Sequence, residues 1–209
     1  MHFADFNSKS PSAPTVSVPV PEVKKNPVEL LSAKGIDYRE LEKLLKDKQW
    51  YEADQLTDKL MLKASGREIQ RYIDPKSIKE FPCEDLQTID RLWVHYSNGL
   101  YGFSVQKDIY VECGGKLDFS YPSDETWEKF CARTAWKDEG EYVEYPKPFL
   151  TDNRYRSREG HLPSRVMIIG RYQFSEEEFK GVLMGREYME GSRGKGIMEV
   201  VLLFSHQDL

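Results

Sequence analysis

The residues best suited to ligand chemistry lie between residues 145 and 171, where arginines are interspersed with aromatic side chains. This stretch holds six cationic side chains and two acidic ones, a local charge of +4 in a chain whose net charge is −5. The planar guanidinium of arginine can donate to both oxygens of a carboxylate, and rings such as Phe149 and Tyr155 can cover a flat conjugated molecule. The stretch therefore favours a small anionic ligand or an acidic partner surface. A solvated loop that balances nearby glutamates is the alternative.

The remaining sequence shows no pattern typical of catalysis or metal binding. The four histidines include no pair three or four residues apart, which is the spacing expected of paired metal ligands on a helix. The three cysteines are widely spaced and fit neither a disulfide framework nor a zinc site. Asp85 and Asp90 do not form a pair of carboxylates, because residues five apart lie on different sides of a helix. We interpret Asp85 as a helix cap and Asp90 as a surface charge. His161 is interpreted as a hydrogen-bonding surface residue in preference to a metal ligand.

Length and composition predict a single soluble domain. The chain has 209 residues, of which 39% are hydrophobic, and this is enough for one core with extensions. No apolar run approaches the roughly 20 residues needed to cross a bilayer. The net charge of −5 argues against a general nucleic-acid binder. The unpaired cysteines favour a reducing compartment.

Helical periodicity predicts most of the architecture between residues 37 and 134. Two apolar stripes joined at residues 46–49 predict a pair of antiparallel helices. A third helix is expected to begin after Pro82 and to end at Asn98-Gly99, because glycine tolerates the left-handed conformation of a helix terminus. Two shorter helices should follow, the second capped by Ser123. Residues 138–164 lose the periodicity and are predicted to form a long structured loop, a feature that is commonly functional.

The ends of the chain differ in composition from its centre. Five of the eleven prolines lie between residues 11 and 27, which predicts a flexible proline-rich arm over residues 1–27. Residues 28–165 are predicted to form the helical domain, and residues 166–209 a C-terminal extension. Within the extension, the sequence predicts a strand or buried helical turn at 166–169, a capped helix over 176–184, a flexible glycine joint over 191–196 and an apolar end over 200–204.

The aromatic side chains of the helices could form either the core or the wall of a pocket. Trp93 and Phe103 are the strongest candidates for the core. Phe130 and Trp136 lie closer to the loop and have the better claim to a pocket. We therefore expect Trp93→Ala to destabilise the fold and Trp136→Ala to leave folding nearly intact.

The order of motifs from residue 37 to residue 165 resembles the Genomes Uncoupled regulators. The similarity includes Trp50-Tyr51-Glu52-Ala53-Asp54-Gln55-Leu56-Thr57, follows residues 78–110 almost without a gap and closes with Gly160-His161-Leu162-Pro163. Thr134-Ala135-Trp136 departs from the Val-Gly-Trp type of corner that is usual in the family. The arginines of residues 154–158 have no residue-by-residue counterpart. The extension after residue 165 is similar to that of plant and algal members.

The resemblance implies a mainly α fold, a single helical domain shaped like a cupped hand with a long loop and a C-terminal extension. It implies a non-catalytic protein that binds protoporphyrin IX and magnesium protoporphyrin IX. Such a protein would stimulate magnesium chelatase through its large porphyrin-binding subunit in the chloroplast stroma, with a role in plastid signalling. The resemblance leaves open whether linear bilins bind and whether the chain associates peripherally with membranes. The alternative is a helical adapter that docks an acidic partner and binds no small molecule.

A porphyrin receptor needs an apolar wall for the macrocycle and cations for its two propionates. The sequence assigns the arginines to the polar rim, on the expectation that alternate residues of an extended segment emerge at one edge. The C-terminal extension is expected to regulate the chelatase contact without affecting tetrapyrrole binding. The predicted ligand-binding residues are Phe130, Trp136, Phe149, Asn153, Arg154, Tyr155, Arg156, Arg158 and Leu162.

Overall fold

The computed structural model describes residues 27–118, 120, 122–144, 150–164, 203–206 and 209. Several features predicted from the sequence lie outside these residues. They are the arm before residue 27, Phe149, the segment 166–169, the helix 176–184 and the glycine joint 191–196.

The described residues are mainly helical, which confirms the predicted fold class. Seven helices and one short hairpin occur among them. In chain order they are α1 (Arg39–Lys46), α2 (Trp50–Ala64), α3 (Pro75–Lys79), α4 (Cys83–Ser97), α5 (Phe103–Glu112), α6 (Asp124–Thr134), β1 (Lys137–Asp138), β2 (Glu141–Tyr142) and α7 (Asn153–Arg156).

Local signals in the sequence set several of the helix ends. Asn98 ends α4 in the left-handed conformation, with φ of 59°, as predicted. The Ser123 side chain accepts a hydrogen bond from the Thr126 amide at the start of α6, which confirms the predicted cap. Ala135 ends α6 with φ of 55°, a conformation in which a Cβ atom is unfavourable.

The predicted long loop begins as a hairpin. β1 and β2 pair antiparallel, with Lys137 opposite Tyr142 and Asp138 opposite Glu141. The two residues between the strands, Glu139 and Gly140, both have positive φ, as the tight turns that match the twist of a hairpin require. The sequence interpretation missed this hairpin, because two-residue strands carry too little periodicity to detect.

Two buried aromatic clusters organise the core. In the first, the Trp93 ring centroid lies 6.2 Å from that of Trp50 and 6.1 Å from that of Tyr101. Trp93 and Phe103 are fully buried, so the prediction that they belong to the core is confirmed. The second cluster joins α5, α6, the residue after α6 and the C-terminal part of the chain. Its members are Tyr110, Trp127, Phe130, Trp136 and Phe204.

The interpretations of Asp85 and Asp90 were wrong. Pro82 occupies the N-cap position of α4 and makes no side-chain cap hydrogen bond, and Asp85 is fully buried. Its carboxylate accepts hydrogen bonds from the Ser32 hydroxyl at 2.5 Å, the Ala33 amide at 3.0 Å and the Tyr38 hydroxyl at 2.8 Å. Asp85 therefore attaches the segment before α1 to α4.

Asp90 is half-buried and serves a different helix. Its carboxylate accepts a hydrogen bond from the Ser104 amide at 2.9 Å, at the start of α5. Burial raises the pKa of Asp90. The roles of both carboxylates were predicted wrongly because the groups that donate hydrogen bonds to them lie in other segments of the chain.

Candidate functional site

The candidate site is built on a buried stretch of backbone, residues 160–164, which we call the anchor segment. All five of its residues are buried. The Gly160 amide donates to the Leu100 carbonyl at 2.8 Å, and the Gly102 amide donates to the Leu162 carbonyl at 3.1 Å. These two hydrogen bonds fasten the anchor segment to the corner between α4 and α5.

Side chains from α2 and α5 hold the anchor segment on further sides. The Gln106 amide nitrogen donates to the carbonyls of Gly160 and Pro163, at 2.9 and 3.0 Å. The Asp54 carboxylate accepts from the Ser164 amide at 2.6 Å and from its hydroxyl at 2.5 Å. Buried backbone groups are costly unless they are hydrogen-bonded, so these contacts make a buried loop possible.

The end of α6 provides the remaining contacts of the anchor segment. The Trp136 indole donates to the His161 carbonyl at 3.1 Å. The Nδ1 atom of His161 lies 2.8 Å from the Thr134 carbonyl oxygen. His161 is hydrogen-bonded as predicted, but it is fully buried, so its interpretation as a surface residue was wrong.

Gly160 is the point of closest approach between the anchor segment and the helices. Its φ is +68°, and a Cβ atom placed there would lie 2.6 Å from the Ile109 side chain and 3.3 Å from that of Thr134. Glycine is therefore required at this position both by conformation and by space.

The helix α7 carries most of the predicted rim and is held by the hydroxyl groups of two tyrosines. The Tyr155 hydroxyl donates to the Asp138 carboxylate at 2.9 Å, which links α7 to the hairpin. The Tyr101 hydroxyl donates to the Arg156 carbonyl, and burial raises the pKa of Tyr101 to about 12, so the donor stays protonated at neutral pH. Residues 153–156 form a helical turn, so the predicted extended segment with its arginines along one edge was wrong.

The arginines of the rim differ in what surrounds them. Arg154 makes two hydrogen bonds to Asp152, at 3.0 and 2.8 Å, and these bonds hold the pKa of Asp152 below its usual value. Arg156 is half-buried and donates to the Asn153 side chain at 2.8 Å. Arg158 is exposed, and within the described ranges it forms no ion pair. Arg158 is consequently the rim cation most available to an external carboxylate.

The predicted wall residues lie inside the second aromatic cluster. Phe130, Trp136 and Leu162 are fully buried, and Tyr155 is nearly so. The centroid of the Phe130 ring lies 5.1 Å from that of Trp136 and 5.7 Å from that of Phe204. Among the predicted ligand-binding residues that the structure describes, the exposed ones are therefore polar. They are Asn153, Arg154 and Arg158.

Sequence reasoning did not single out Asp54, Gln106 or Thr134 as determinants of the site. A signal for Asp54 was present, since it lies between the buried positions Ala53 and Thr57 on α2. A charged residue among inward-facing positions indicates a buried partner. The identity of that partner, Ser164, could not be predicted from a separation of 110 residues.

An open cavity of about 440 Å³ lies elsewhere, between residues 27–29, one side of α4 and Ser104. It contains none of the predicted ligand-binding residues. In the part of the chain that the structure describes, no group of His, Cys, Asp and Glu side chains could hold a metal ion. None of the described helices has the length and apolar composition of a membrane span.

The structure shows a mainly helical domain in which an arginine-bearing helix, α7, is followed by a buried anchor segment. The chain belongs to the GUN4-like family, whose sequence profile matches residues 31–176. This match confirms the resemblance recognised in the sequence.

Two curated relatives and one solved structure illustrate the similarity. The Ycf53-like protein of Synechocystis is 33% identical over 136 residues, which cover 64% of this chain and 53% of the relative. The chloroplastic tetrapyrrole-binding protein of Arabidopsis thaliana is 30% identical over 132 residues, 59% of this chain and 46% of the relative. The chain thus spans about half the length of the curated relatives it matches. The structure of GUN4 from Chlamydomonas reinhardtii has 28% identity and a TM-score of 0.55, and the match covers 68% of this chain and 89% of that one.

Proposed function

We propose that this chain is a non-catalytic chloroplast protein that binds protoporphyrin IX or magnesium protoporphyrin IX. In this proposal it stimulates magnesium chelatase through the large porphyrin-binding subunit. The observation that carries the proposal is the family match over residues 31–176, together with the Arabidopsis relative that is named a chloroplastic tetrapyrrole-binding protein.

The chemistry of the rim supports a dicarboxylate ligand. A porphyrin presents two propionates at one edge, and arginine is the side chain best matched to a carboxylate. Arg158 is exposed, and Arg156 is partly so. A hydrogen bond between charged groups contributes about 1.5–3 kcal/mol when sheltered and much less when solvated. Arg158, supported by Arg156, is therefore proposed to hold one propionate.

The proposed wall for the macrocycle is the aromatic cluster beside the rim. Trp136 connects the two parts, because its ring packs against Phe130 and its indole donates to the anchor segment. Aromatic rings stack on flat conjugated molecules with favourable geometry. Phe130, Trp136 and Leu162 are proposed as wall residues, with Asn153, Arg154 and Tyr155 at the rim. Phe149 is retained as a candidate but lies outside the described residues.

Titration with deuteroporphyrin tests the proposal directly. Tryptophan fluorescence of the pure protein should be quenched saturably at micromolar ligand, because tryptophans lie in both aromatic clusters. A porphyrin diester, which lacks free carboxylates, serves as the matched ligand and should bind more weakly. Fluorescence that is unchanged up to high micromolar porphyrin would contradict tetrapyrrole binding. Addition of the protein to a magnesium chelatase assay then tests stimulation separately.

A second candidate function is a helical adapter that docks an acidic partner surface without a small molecule. The burial of Phe130, Trp136 and Leu162 favours it, since the exposed rim is then mainly polar. A pull-down of the chelatase large subunit with and without porphyrin separates the two functions. Equal recovery in both conditions, from a protein that does not bind porphyrin, would support the adapter.

A further inference from the structure

The C-terminal part of the chain fills the aromatic cluster that the proposed function assigns to the ligand. Phe204 is fully buried, and Leu203 is nearly so. The ring centroid of Phe204 lies 5.5 Å from that of Tyr110 and 5.7 Å from that of Phe130. The side of Phe130 that faces Phe204 is therefore not accessible to a ligand while this contact persists.

The rings beneath Phe204 form a continuous aromatic floor. The centroid of Phe130 lies 5.3 Å from that of Trp127 and 5.1 Å from that of Trp136. Trp136 in turn donates to the anchor segment that carries the arginine rim. Removal of Phe204 would uncover an apolar surface on the same structural unit as the arginines, which is the combination that an amphipathic ring with carboxylates requires.

The described residues of the C-terminal segment, 203–206 and 209, contact the helices through the Phe204 ring and through a hydrogen bond from Lys107. The two main-chain hydrogen bonds described for the segment, from His206 to Leu203 and from Leu209 to His206, are internal to it. Its described polar contact with the helices is the hydrogen bond from the Lys107 ammonium to the Leu209 carbonyl, at 2.6 Å. The Ser205 hydroxyl is buried, and it lacks a hydrogen-bond partner among the described residues.

We propose that the described segment around Phe204, residues 203–206, is an intramolecular competitor of the tetrapyrrole, with Phe204 occupying the aromatic floor that the macrocycle covers when it binds. This inference rests on the proposed function, because it concerns the regulation of the same site. The sequence places Phe130 in the wall of the pocket and predicts that the C-terminal extension leaves tetrapyrrole binding unaffected. These two expectations cannot both hold, because Phe204 of the extension packs against Phe130.

The competition has a definite consequence for affinity. When only a fraction of the molecules is competent to bind, the apparent Kd is the intrinsic Kd divided by that fraction. A segment that is docked in about nine of ten molecules therefore weakens the apparent affinity about tenfold. Loss of the Phe204 ring should therefore increase the apparent affinity about tenfold. Loss of the hydrogen bond from Lys107 should increase it by a smaller factor.

Full-length variants test this inference by deuteroporphyrin titration. Phe204→Ala should lower the apparent Kd about tenfold, and Lys107→Met, which keeps the side-chain length but removes the donor, should lower it by a smaller factor. Phe81→Ala is the matched control, because Phe81 is equally a buried phenylalanine (3% exposed) but lies outside the cluster. It should leave the Kd unchanged or raise it. An unchanged or higher Kd in both Phe204→Ala and Lys107→Met, with saturable binding by the parent protein, would overturn the competition.

Hydrogen exchange in the parent protein provides a second readout, which does not require any variant to fold. Saturating porphyrin should accelerate amide exchange at residues 203–206 of the parent protein, because the ligand displaces them. Slower or equal exchange there would overturn the inference even if porphyrin binds. If Phe204→Ala fails to fold, the Kd of Lys107→Met and the exchange experiment decide the question. Absence of binding in the parent and in every variant would instead contradict the proposed function itself.

Discussion

The arginines of the rim illustrate how much depends on the immediate neighbours of a single residue. Arg154 and Arg158 are both exposed, but Arg154 is paired with Asp152. An arginine that already makes two hydrogen bonds to a carboxylate must give them up to bind another. The two residues therefore have different capacities to bind a propionate, although the sequence presents them as equivalent.

We expect Arg158→Ala to weaken deuteroporphyrin binding by up to about fivefold, because an ion pair at an exposed residue contributes about 0.2–1 kcal/mol and about 1.4 kcal/mol is a factor of ten. Arg154→Ala should weaken it less, and neither variant should much affect the diester. Fluorescence titration measures all four constants. Arg39→Ala is the control, since Arg39, the first residue of α1, pairs with Asp37 as Arg154 pairs with Asp152. An equal loss for Arg158→Ala with both ligands would show that Arg158 does not bind the carboxylate.

Ala135 is a second residue whose conformation leads to a prediction. It ends α6 with φ of 55°, which costs a residue with a Cβ atom about 1–2 kcal/mol. Glycine removes this strain but increases the freedom of the unfolded chain and deletes a buried methyl group. We therefore expect Ala135→Gly to be at least as stable as the parent in urea denaturation.

Ala132→Gly is the matched control for this measurement. Ala132 is exposed within α6, where glycine costs about 1 kcal/mol relative to alanine. A similar loss of stability at both positions would mean that the left-handed conformation of Ala135 carries no strain.

Among the structural elements, the anchor segment depends most clearly on one buried carboxylate. Asp54→Ala would leave the Ser164 amide buried without its acceptor. An unsatisfied buried donor costs about 1–3 kcal/mol, in addition to the lost charge-assisted bonds. We expect the free energy of unfolding in urea to fall by about 3 kcal/mol for Asp54→Ala. Asp47→Ala is the control, because Asp47 is exposed between α1 and α2. It should change the free energy of unfolding by less than about 0.5 kcal/mol. Comparable small effects at both sites would refute the role of Asp54.

The end of α6 yields a correction to the sequence-based expectation. Trp136 is as fully buried as Trp93, so Trp136→Ala cannot be expected to leave folding intact. Removal of a buried tryptophan typically costs about 3–5 kcal/mol, and thermal unfolding should show a similar decrease for both variants. A melting temperature of Trp136→Ala close to that of the parent would show that the burial of this ring contributes little to stability.

At the scale of the whole molecule, the described C-terminal residues belong to the core. Leu203 and Phe204 are buried, and the Phe204 ring packs against Tyr110 of α5 and Phe130 of α6. A segment that is docked in about nine of ten molecules stabilises the fold by about 1.4 kcal/mol, so removal of residues 203–209 should lower the free energy of unfolding by about that amount. Calorimetry of the shortened chain measures the change. Phe204→Leu is the control and should cost less, because it retains most of the apolar volume. A shortened chain with the parental melting temperature would show that the segment adds nothing to the core.

The features that the sequence predicted correctly depend on residues close to one another in the chain. The cap at Ser123 and the left-handed end at Asn98 each involve a few neighbouring residues, and the helices follow from their apolar periodicity. The anchor of Ser164 on Asp54 and the packing of Phe204 on Tyr110 join positions about a hundred residues apart. Such pairings depend on the tertiary arrangement, which one sequence does not specify locally. The family itself was recognisable because a long ordered series of motifs preserves that arrangement implicitly.

The carboxylate of Asp85 has a consequence for the smallest fragment that can fold. Its three donors come from residues 32–38, ahead of α1, although the recognisable family motifs begin only at residue 37. A fragment that starts with those motifs would retain the Tyr38 hydroxyl but lose the donors of Ser32 and Ala33, and would leave a buried charge only partly compensated. Such a charge is strongly destabilising. The folding unit therefore includes residues 32 and 33, which precede the motifs recognised in the sequence but lie within the family profile that begins at residue 31.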